Sequence, residues 1–122
     1  MGSKLKRQKR EVEIMWYLEK KVIISSAHYL RDYKGKCANL HGHNWLVIVR
    51  LKSSKLDRIG MVLDFKRIKE EVDKLDHGNL NELIKPNPTA ENLAKYIADS
   101  IPYCYEVEIH EQEGSVCRYV KD

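Results

Sequence analysis

The first half of the chain contains two segments that are rich in apolar, β-branched and aromatic residues, over residues 16–28 and 41–52. A polar stretch over residues 29–40 separates them. Because successive strand side chains point to opposite faces of a sheet, this pattern predicts two β-strands joined by a loop. One face of the first strand would carry Val22, Ile24, Ser26 and His28. One face of the second would carry His41, His43, Trp45, Val47, Val49 and Leu51.

Apolar residues three and four positions apart follow in the middle of the chain, and this spacing predicts two α-helices. Asp64 is the candidate N-cap of the first helix, and we expect residues 76–78 to close it, with Gly78 in the left-handed conformation. The apolar stripe of this helix comprises Phe65, Ile68, Val72 and Leu75. Thr89 is the candidate N-cap of the second helix, which ends before Pro102. Its apolar side comprises Leu93, Ile97 and Ile101.

A β-hairpin is predicted at the end of the chain, where two strand-like segments over residues 105–111 and 115–120 flank a tight turn at residues 112–114. The order of elements is therefore strand, strand, helix, helix, strand, strand, or ββααββ. Strands and helices grouped in this way predict an α+β fold, in which a four-stranded antiparallel sheet carries two helices on one face.

The composition is that of a globular protein in a reducing compartment. The chain of 122 residues has the length of one domain, with 43% hydrophobic and 33% charged residues. It shows neither the roughly 18–20 successive apolar residues that span a membrane nor the apolar stretch of a signal peptide. Three cysteines without a CxxC pair, Cys37, Cys104 and Cys117, argue against a disulfide framework. We therefore expect a cytoplasmic location and no membrane partner.

The net charge of +4 comes from the N-terminus. Residues 1–10 hold five basic side chains and no acidic one, which leaves 17 basic and 18 acidic side chains in the rest of the chain. We interpret residues 1–14 as a basic extension, unstructured or introduced by cloning, and residues 15–122 as a single domain. A nucleic-acid-binding module is the alternative that the tail suggests. The balance of −1 in the body argues against it, so we expect no nucleic-acid partner.

Three of the five histidines can converge on one metal ion. In His41-Gly42-His43 the two imidazoles share a strand face, about 6.5–7 Å apart by the rise of a strand. His28 supplies a third nitrogen if the two strands pair antiparallel. The His-Gly-His pair alone is weak evidence for a metal site, and His28 alone is also consistent with a core histidine. Three neutral imidazoles with an open fourth position are typical of a catalytic zinc rather than a structural one.

Candidate acid–base groups lie close to this metal site along the chain. Cys37 is four residues before His41, in a loop that we expect beside the metal. A thiol near a cation loses its proton more readily, so it can serve as a base or nucleophile near neutral pH. Asp76 and His77 are adjacent at a predicted helix end, where the carboxylate can fix the tautomer of the imidazole. Taken alone, this pair favours a simple helix cap.

Four motifs in succession resemble one known family. The segment Cys37-Ala-Asn-Leu-His41-Gly-His43, preceded by Ser26-Ala-His28, resembles the signature of the 6-pyruvoyltetrahydropterin synthase superfamily. Residues 75–81, 87–91 and 108–111 resemble it further, in the same order, so that the likeness covers residues 15–122 and omits the basic tail. The resemblance implies a T-fold whose subunits join sheet edges into a barrel. It also implies a homo-oligomer, a hexamer or tetramer, with active sites at the subunit contacts.

The same resemblance implies a role for individual residues. The ligands of one zinc ion per subunit would be His28, His41 and His43. The catalytic groups would be Cys37 as proton acceptor, Asp76 with His77 as a relay, and Glu111, which is counted with the relay. Glu111 would also clamp the pterin ring, which Thr89 would help to hold. From the residues themselves, Glu111 shares strand parity with Tyr105, Val107 and Ile109, so we expect its carboxylate on the covered face, where it needs a partner.

The spacing Cys-x3-His-Gly-His resembles the 6-carboxytetrahydropterin synthase branch, which serves queuosine and related deazapurines, because the pyruvoyl branch typically has a longer spacer. The resemblance thus implies conversion of 7,8-dihydroneopterin triphosphate into 6-carboxy-5,6,7,8-tetrahydropterin, with loss of acetaldehyde and triphosphate. Arg31, Lys34 and Lys36 are candidates for receiving the phosphates. The alternatives are a pyruvoyl-forming enzyme and a pterin-binding T-fold protein without catalysis. The presence of Cys37, Asp76 and His77 argues against the latter.

Overall fold

The computed structural model describes residues 14–121, and its sheet has four antiparallel strands in the order β1-β2-β3-β4. The strands are β1 (Trp16–His28), β2 (His41–Ser53), β3 (Cys104–Gln112) and β4 (Ser115–Val120). The predicted antiparallel sheet is confirmed, and its strand ends agree with the expected ones to within a residue. Of the predicted basic extension at residues 1–14, only Ile14 is among the described residues.

Three helices pack against one face of this sheet. They are α1 (Phe65–Asp73), α2 (Leu80–Leu83) and α3 (Ala90–Ser100). Asp64 and Thr89 cap α1 and α3, as predicted, and each accepts a hydrogen bond from a backbone N–H of the first turn. The short α2 and a 3-10 turn at Lys36–Ala38 were not predicted, because three or four residues are too few to show an apolar period.

The hydrophobic core lies between the helices and the face of the sheet that they cover. Trp45, at the centre of β2, is fully buried, and its indole N–H donates to the carbonyl of Ser26 at 3.1 Å. The other fully buried core residues include Ile24, Val47, Val49, Leu51, Ile68, Val72, Leu80, Leu93, Val107 and Ile109. Within the described residues, no helix is both long enough and apolar enough to cross a membrane.

The end of α1 differs from the prediction. The helix ends at Asp73, and the positive φ, 54°, falls on His77 rather than on Gly78. His77 is held there because its backbone N–H donates to the carbonyl of Ser25, 2.6 Å away. A Cβ atom at Gly78 would lie 2.9 Å from the Cδ1 atom of Leu83, so a larger residue there would displace the end of that exposed side chain.

An irregularity in β3 changes the face of Tyr105. The register between β2 and β3 shifts at this residue, which is left without a partner on β2. The prediction that Tyr105 shares a face with Val107 and Ile109 is therefore wrong: its ring lies 5.9 Å from that of Tyr17, on the helix-free face. A second irregularity, between His110 and Gln112, leaves Glu111 without a partner on β4. Its carboxylate nevertheless lies on the covered face, as predicted, 3.6 Å from Nε2 of His28.

Candidate active site

The pairing of β1 with β2 brings three histidines together at one end of the sheet. His28 lies directly opposite His41, and His43 lies opposite Ser26, two residues further along. All three side chains point to the helix-covered face, and one ring nitrogen of each lies within 4.8 Å of the corresponding nitrogens of the other two. The convergence predicted from strand parity is confirmed. We call these three residues the histidine cluster.

Backbone carbonyls fix the orientation of two of these rings. The Nδ1 atom of His28 is 2.7 Å from the carbonyl of Pro88, and the Nδ1 atom of His41 is 2.7 Å from the carbonyl of Asn39. Because a carbonyl only accepts, Nδ1 must carry the proton in both rings, and Nε2 then presents its lone pair to the cluster. Metal-binding histidines commonly have this arrangement.

In the part of the chain that the structure describes, no hydrogen-bond donor reaches the centre of the histidine cluster. The Nε2 atoms of His28 and His43 are buried and have no hydrogen-bond partner there. Burial is the main cause that lowers the pKa of both imidazoles, so both are neutral at pH 7. The Oε2 atom of Glu111 lies 3.6 Å from one of these nitrogens and 3.7 Å from the other. Lone pairs and a carboxylate thus converge on one point, an arrangement that a divalent cation would stabilise.

This donor set fits a zinc ion. Three neutral imidazoles leave the fourth position of a tetrahedral metal open, which distinguishes catalytic zinc sites from structural ones. Imidazole also suits iron, copper and nickel, so the donor set specifies a class of metal rather than one element.

Glu111 also belongs to the wall of a cavity of about 410 Å³ beside the histidine cluster. Thr89 lines the same cavity, and its hydroxyl accepts the N–H of Asn92, 3.1 Å away, as the cap of α3. The remaining lining residues are Leu30, Ala90, Glu91, Gly114, Ser115, Val116 and Cys117. The two residues that the resemblance assigns to pterin binding, Thr89 and Glu111, therefore do line one cavity.

Asp76 and His77 form the expected pair, beside the outer edge of β1. Asp76 Oδ2 lies 2.9 Å from Nδ1 of His77, while its other oxygen accepts the N–H of Ser25 at 2.7 Å. The hydrogen bond from Ser25 is the main cause that lowers the pKa of Asp76, and the contact with His77 adds to it. The His77 side chain is 82% exposed and lines a second cavity, of about 400 Å³, together with Asn44 and His43.

Among the described residues, the predicted catalytic groups His77 and Glu111 line two different cavities of a single chain. Cys37 lies half-buried in the 3-10 turn, and its carbonyl accepts the N–H of Leu30 at 2.8 Å. Within residues 14–121, no hydrogen bond joins Cys37 to Asp76 or His77. The cavity that contains His77 also shares no lining residue with the one that contains Glu111.

Comparison with known proteins identifies the family. The family model described as 6-pyruvoyl tetrahydropterin synthase matches residues 17–122. The chain belongs to this family. It is 33% identical over 120 residues to 6-carboxy-5,6,7,8-tetrahydropterin synthase of Synechocystis sp., covering 86% of this chain and 93% of that protein. It is 34% identical over 126 residues to 6-pyruvoyl tetrahydrobiopterin synthase of Dictyostelium discoideum, covering 84% and 93%.

A solved structure supports the same affiliation. The 6-pyruvoyl tetrahydropterin synthase of Caenorhabditis elegans matches this chain with a TM-score of 0.71 at 29% identity, over 89% of this chain and 97% of that one. The predicted T-fold is thereby confirmed. The two curated relatives carry the names of both branches at almost equal identity, so overall similarity does not separate the branches.

Two cavity residues of this family member were not singled out from the sequence. Glu91 lies in the motif of residues 87–91, but an acid in the first turn of a helix is ordinarily explained by the helix dipole. Cys117 lies on β4, where alternation alone gives no sign of a cavity. Burial raises the pKa of the Cys117 thiol and the nearby Glu91 raises it further, so this thiol is protonated at neutral pH.

One of the candidate phosphate ligands has another function in the fold. The guanidinium of Arg31 donates to the carbonyls of Lys85 and Asn81, at 3.3 and 3.4 Å. It thereby connects the loop after β1 with α2 and with the segment that follows α2. Lys34 and Lys36 are exposed.

Proposed function

We propose that this protein is a cytoplasmic, zinc-dependent 6-carboxy-5,6,7,8-tetrahydropterin synthase of queuosine or deazapurine biosynthesis. Its substrate would be 7,8-dihydroneopterin triphosphate, and its products 6-carboxytetrahydropterin, acetaldehyde and triphosphate. The observation that carries the proposal is the histidine cluster, whose unpaired nitrogens lie beside Glu111 at the wall of a cavity of about 410 Å³. The spacing of Cys37 from His41 favours the carboxy branch over the pyruvoyl branch.

His28, His41 and His43 would hold the metal through their Nε2 atoms. When bound, zinc supplies a Lewis acid that stabilises negative charge developing on a substrate oxygen. The carbonyls of Pro88 and Asn39 keep two of the rings in the tautomer that this requires.

The carboxylates of the cavity would recognise the pterin. Pterin presents ring N–H and amino groups side by side, and a carboxylate accepts both in a bidentate, charge-assisted manner. Glu91 and Thr89 stand at the start of α3. Glu111 stands nearer the histidine cluster, where it can contact both the ring and the reacting side chain.

Cys37 and the Asp76–His77 pair would move protons during the reaction. As a thiolate, Cys37 accepts a proton from a side-chain carbon of the substrate. The lowered pKa of Asp76 keeps its carboxylate charged at neutral pH. It therefore holds the proton of His77 on Nδ1 and leaves Nε2 free to accept or return a second proton.

The separation of these groups in one chain favours a homo-oligomer, a hexamer or tetramer, with shared active sites. His77 is exposed beside the outer edge of β1, and it lines a different cavity from Glu111 and Thr89. β1 and β4 are the outer strands of the sheet, and joining such edges between subunits protects their unpaired backbone groups. In such an assembly, the Asp76–His77 pair of one subunit would complete the site of its neighbour.

Product analysis tests this proposal. We expect the zinc-loaded protein to release acetaldehyde and triphosphate from 7,8-dihydroneopterin triphosphate. Cys37→Ala should lower kcat by about 100-fold to 10,000-fold, because general acid–base catalysis contributes that much. Cys104→Ala is the matched control, because it removes a buried thiol at the start of β3, and it should keep kcat.

Other outcomes separate the alternatives. Formation of 6-pyruvoyltetrahydropterin without acetaldehyde would assign the chain to the pyruvoyl branch. Tight pterin binding without turnover would favour a binding protein. Unchanged turnover in Cys37→Ala would remove Cys37 from the mechanism.

A further inference from the structure

Two asparagine side chains hold the segment that follows β1. Asn81 accepts the N–H of Tyr29 at 2.8 Å and donates to its carbonyl at 3.0 Å. Asn87 accepts the N–H of Arg31 at 2.9 Å and donates to its carbonyl at 3.3 Å. A carboxamide offers a donor and an acceptor side by side, as a peptide group does. The two side chains therefore pair with the backbone N–H and carbonyl groups of Tyr29 and Arg31, as a neighbouring strand would. We call Asn81 and Asn87 the asparagine clamp.

The clamped segment connects the parts of the candidate active site. Between the two clamped residues, the N–H of Leu30 donates to the carbonyl of Cys37 at 2.8 Å, and Leu30 lines the cavity of Glu111. One residue before the clamp, Nδ1 of His28 donates to the carbonyl of Pro88, which directly follows Asn87. The turn that carries the thiol is therefore tied to a histidine of the cluster through this segment.

We infer that Asn81 and Asn87 are positioning residues, which fix the Cys37 turn relative to the metal-binding nitrogens of the histidine cluster. The inference rests on the proposed function, since that function places the thiol and these nitrogens in one reaction. Displacing a catalytic group by about 1 Å can lower a rate by about 100-fold. The four hydrogen bonds of the clamp oppose such a displacement.

Helix capping does not explain the two amides. The cap of α2 is the side chain of Asn79, and the cap of α3 is that of Thr89. Asn87 contributes to the start of α3 through its backbone carbonyl, which accepts from the N–H of Thr89 at 2.8 Å and from Nδ2 of Asn92 at 2.9 Å. Both side-chain amides are thus directed at a segment about 50 residues earlier in the chain.

The test compares Asn81→Ala and Asn87→Ala with Asp64→Ala in the zinc-loaded protein. Asp64 caps α1 by accepting the N–H of Lys66 at 2.9 Å, so its variant also loses a local hydrogen bond but leaves the clamp intact. We expect both clamp variants to lower kcat by about 10-fold to 100-fold, with KM changed by less than about twofold. Asp64→Ala should keep kcat, and all three variants should keep one zinc per chain.

Hydrogen exchange gives a readout that does not depend on turnover. In the clamp variants, the amides of residues 29–31 should exchange at least about tenfold faster, while β1 and β2 stay protected. Alkylation of Cys37 by iodoacetamide, followed by peptide mass spectrometry, should change in rate as the turn loosens. Asp64→Ala should alter neither.

The outcomes distinguish the clamp from the proposed function. Unchanged kcat in a folded Asn87→Ala variant would overturn the inference, even with faster exchange. If the alanine variants do not fold, Asn87→Asp keeps the acceptor for Arg31 and loses the donor. Asn87→Asp should then have a kcat below that of the wild type but measurable. A kcat equal to that of the wild type would overturn the inference. If the wild type turns over no pterin, the proposed function fails. The asparagine clamp would in that case be refuted if the clamp variants showed the same hydrogen exchange at residues 29–31 and the same alkylation of Cys37 as the wild type.

Discussion

Each face of the sheet carries a cluster of polar side chains, and the two clusters differ in how completely their groups are paired. On the helix-free face, the outer cluster comprises Glu19, Arg50, Glu106, Glu108, His110 and Arg118. Arg50 donates to Glu106 at 2.5 Å and to Glu108 at 2.9 Å. Arg118 donates to Glu106 at 3.0 Å, and His110 lies 2.6 Å from Glu108. Each carboxylate in this cluster has a hydrogen-bond donor.

The pKa shifts of the two clusters reflect this difference. Hydrogen bonds from Arg118 and Arg50 lower the pKa of Glu106, and those from Arg50 and His110 lower the pKa of Glu108. In the histidine cluster, burial rather than a partner lowers the pKa of His28 and His43, and the Nε2 atoms of both remain unpaired. The carboxylates of the outer cluster are therefore paired within the chain, whereas the histidine cluster has two buried nitrogens without a partner among the described residues, which the proposed cation would bind.

Removing a ligand from the histidine cluster should have the largest effect. We expect His43→Ala to bind almost no zinc, since two imidazoles remain, and to turn over about 1000-fold more slowly, because several kcal/mol of charge stabilisation is lost. Zinc is measured by atomic absorption and turnover by acetaldehyde release. His110→Ala removes a histidine of the outer cluster and is the matched control. Loss of zinc from His110→Ala would show that the two clusters are not independent.

Acid should destabilise the two clusters in different pH ranges. The folded pKa of His28 and His43 lies below their ordinary value of 6.5, so the unfolded state binds protons first as the pH falls. The metal-free protein should therefore lose stability below about pH 6.5, by up to about 1.4 kcal/mol per pH unit for each histidine. The folded-state pKa values of Glu106 and Glu108 are lowered below their ordinary value of 4.5. The two carboxylates therefore stabilise the fold above that pH, and this stabilisation is lost as the pH falls below it.

Urea unfolding at a series of pH values measures both ranges. His43→Ala should reduce the loss of stability in the upper pH range, where His28 still contributes, and should leave the lower range unchanged. Glu106→Gln should reduce the loss in the lower range, where Glu108 still contributes, and should leave the upper range unchanged. If both variants changed the stability in the same pH range, the two clusters would not be independent of each other.

The regular parts of the fold follow from the sequence because one signal dominates them. Alternation along β1 and β2 sets which face is buried, and a slip of one residue would expose the whole core. The pairing of His28 with His41 follows from this alternation and from the loop between the strands, so the convergence of the three histidines could be predicted.

The features that sequence patterns did not reveal depend on distant partners. The left-handed conformation of His77 is set by Ser25, some 50 residues earlier, where a local rule favours Gly78. Asn81 and Asn87 likewise act on residues more than 50 positions away. Their role could not be inferred from neighbouring residues, although both lie in motifs that resemble the family.

Breaking the outer cluster should have the smallest effect and should leave the metal site intact. Glu106 is 8% exposed and accepts hydrogen bonds from two arginines, so Glu106→Gln should lower the free energy of unfolding by about 1–2 kcal/mol. Glu19, which is 46% exposed, pairs with Arg50, and Glu19→Gln should change that free energy by less than about 0.5 kcal/mol. Urea unfolding measures both, and zinc content should stay at one per chain. If Glu106→Gln released zinc, the outer cluster would be support for the metal site rather than a separate structural network.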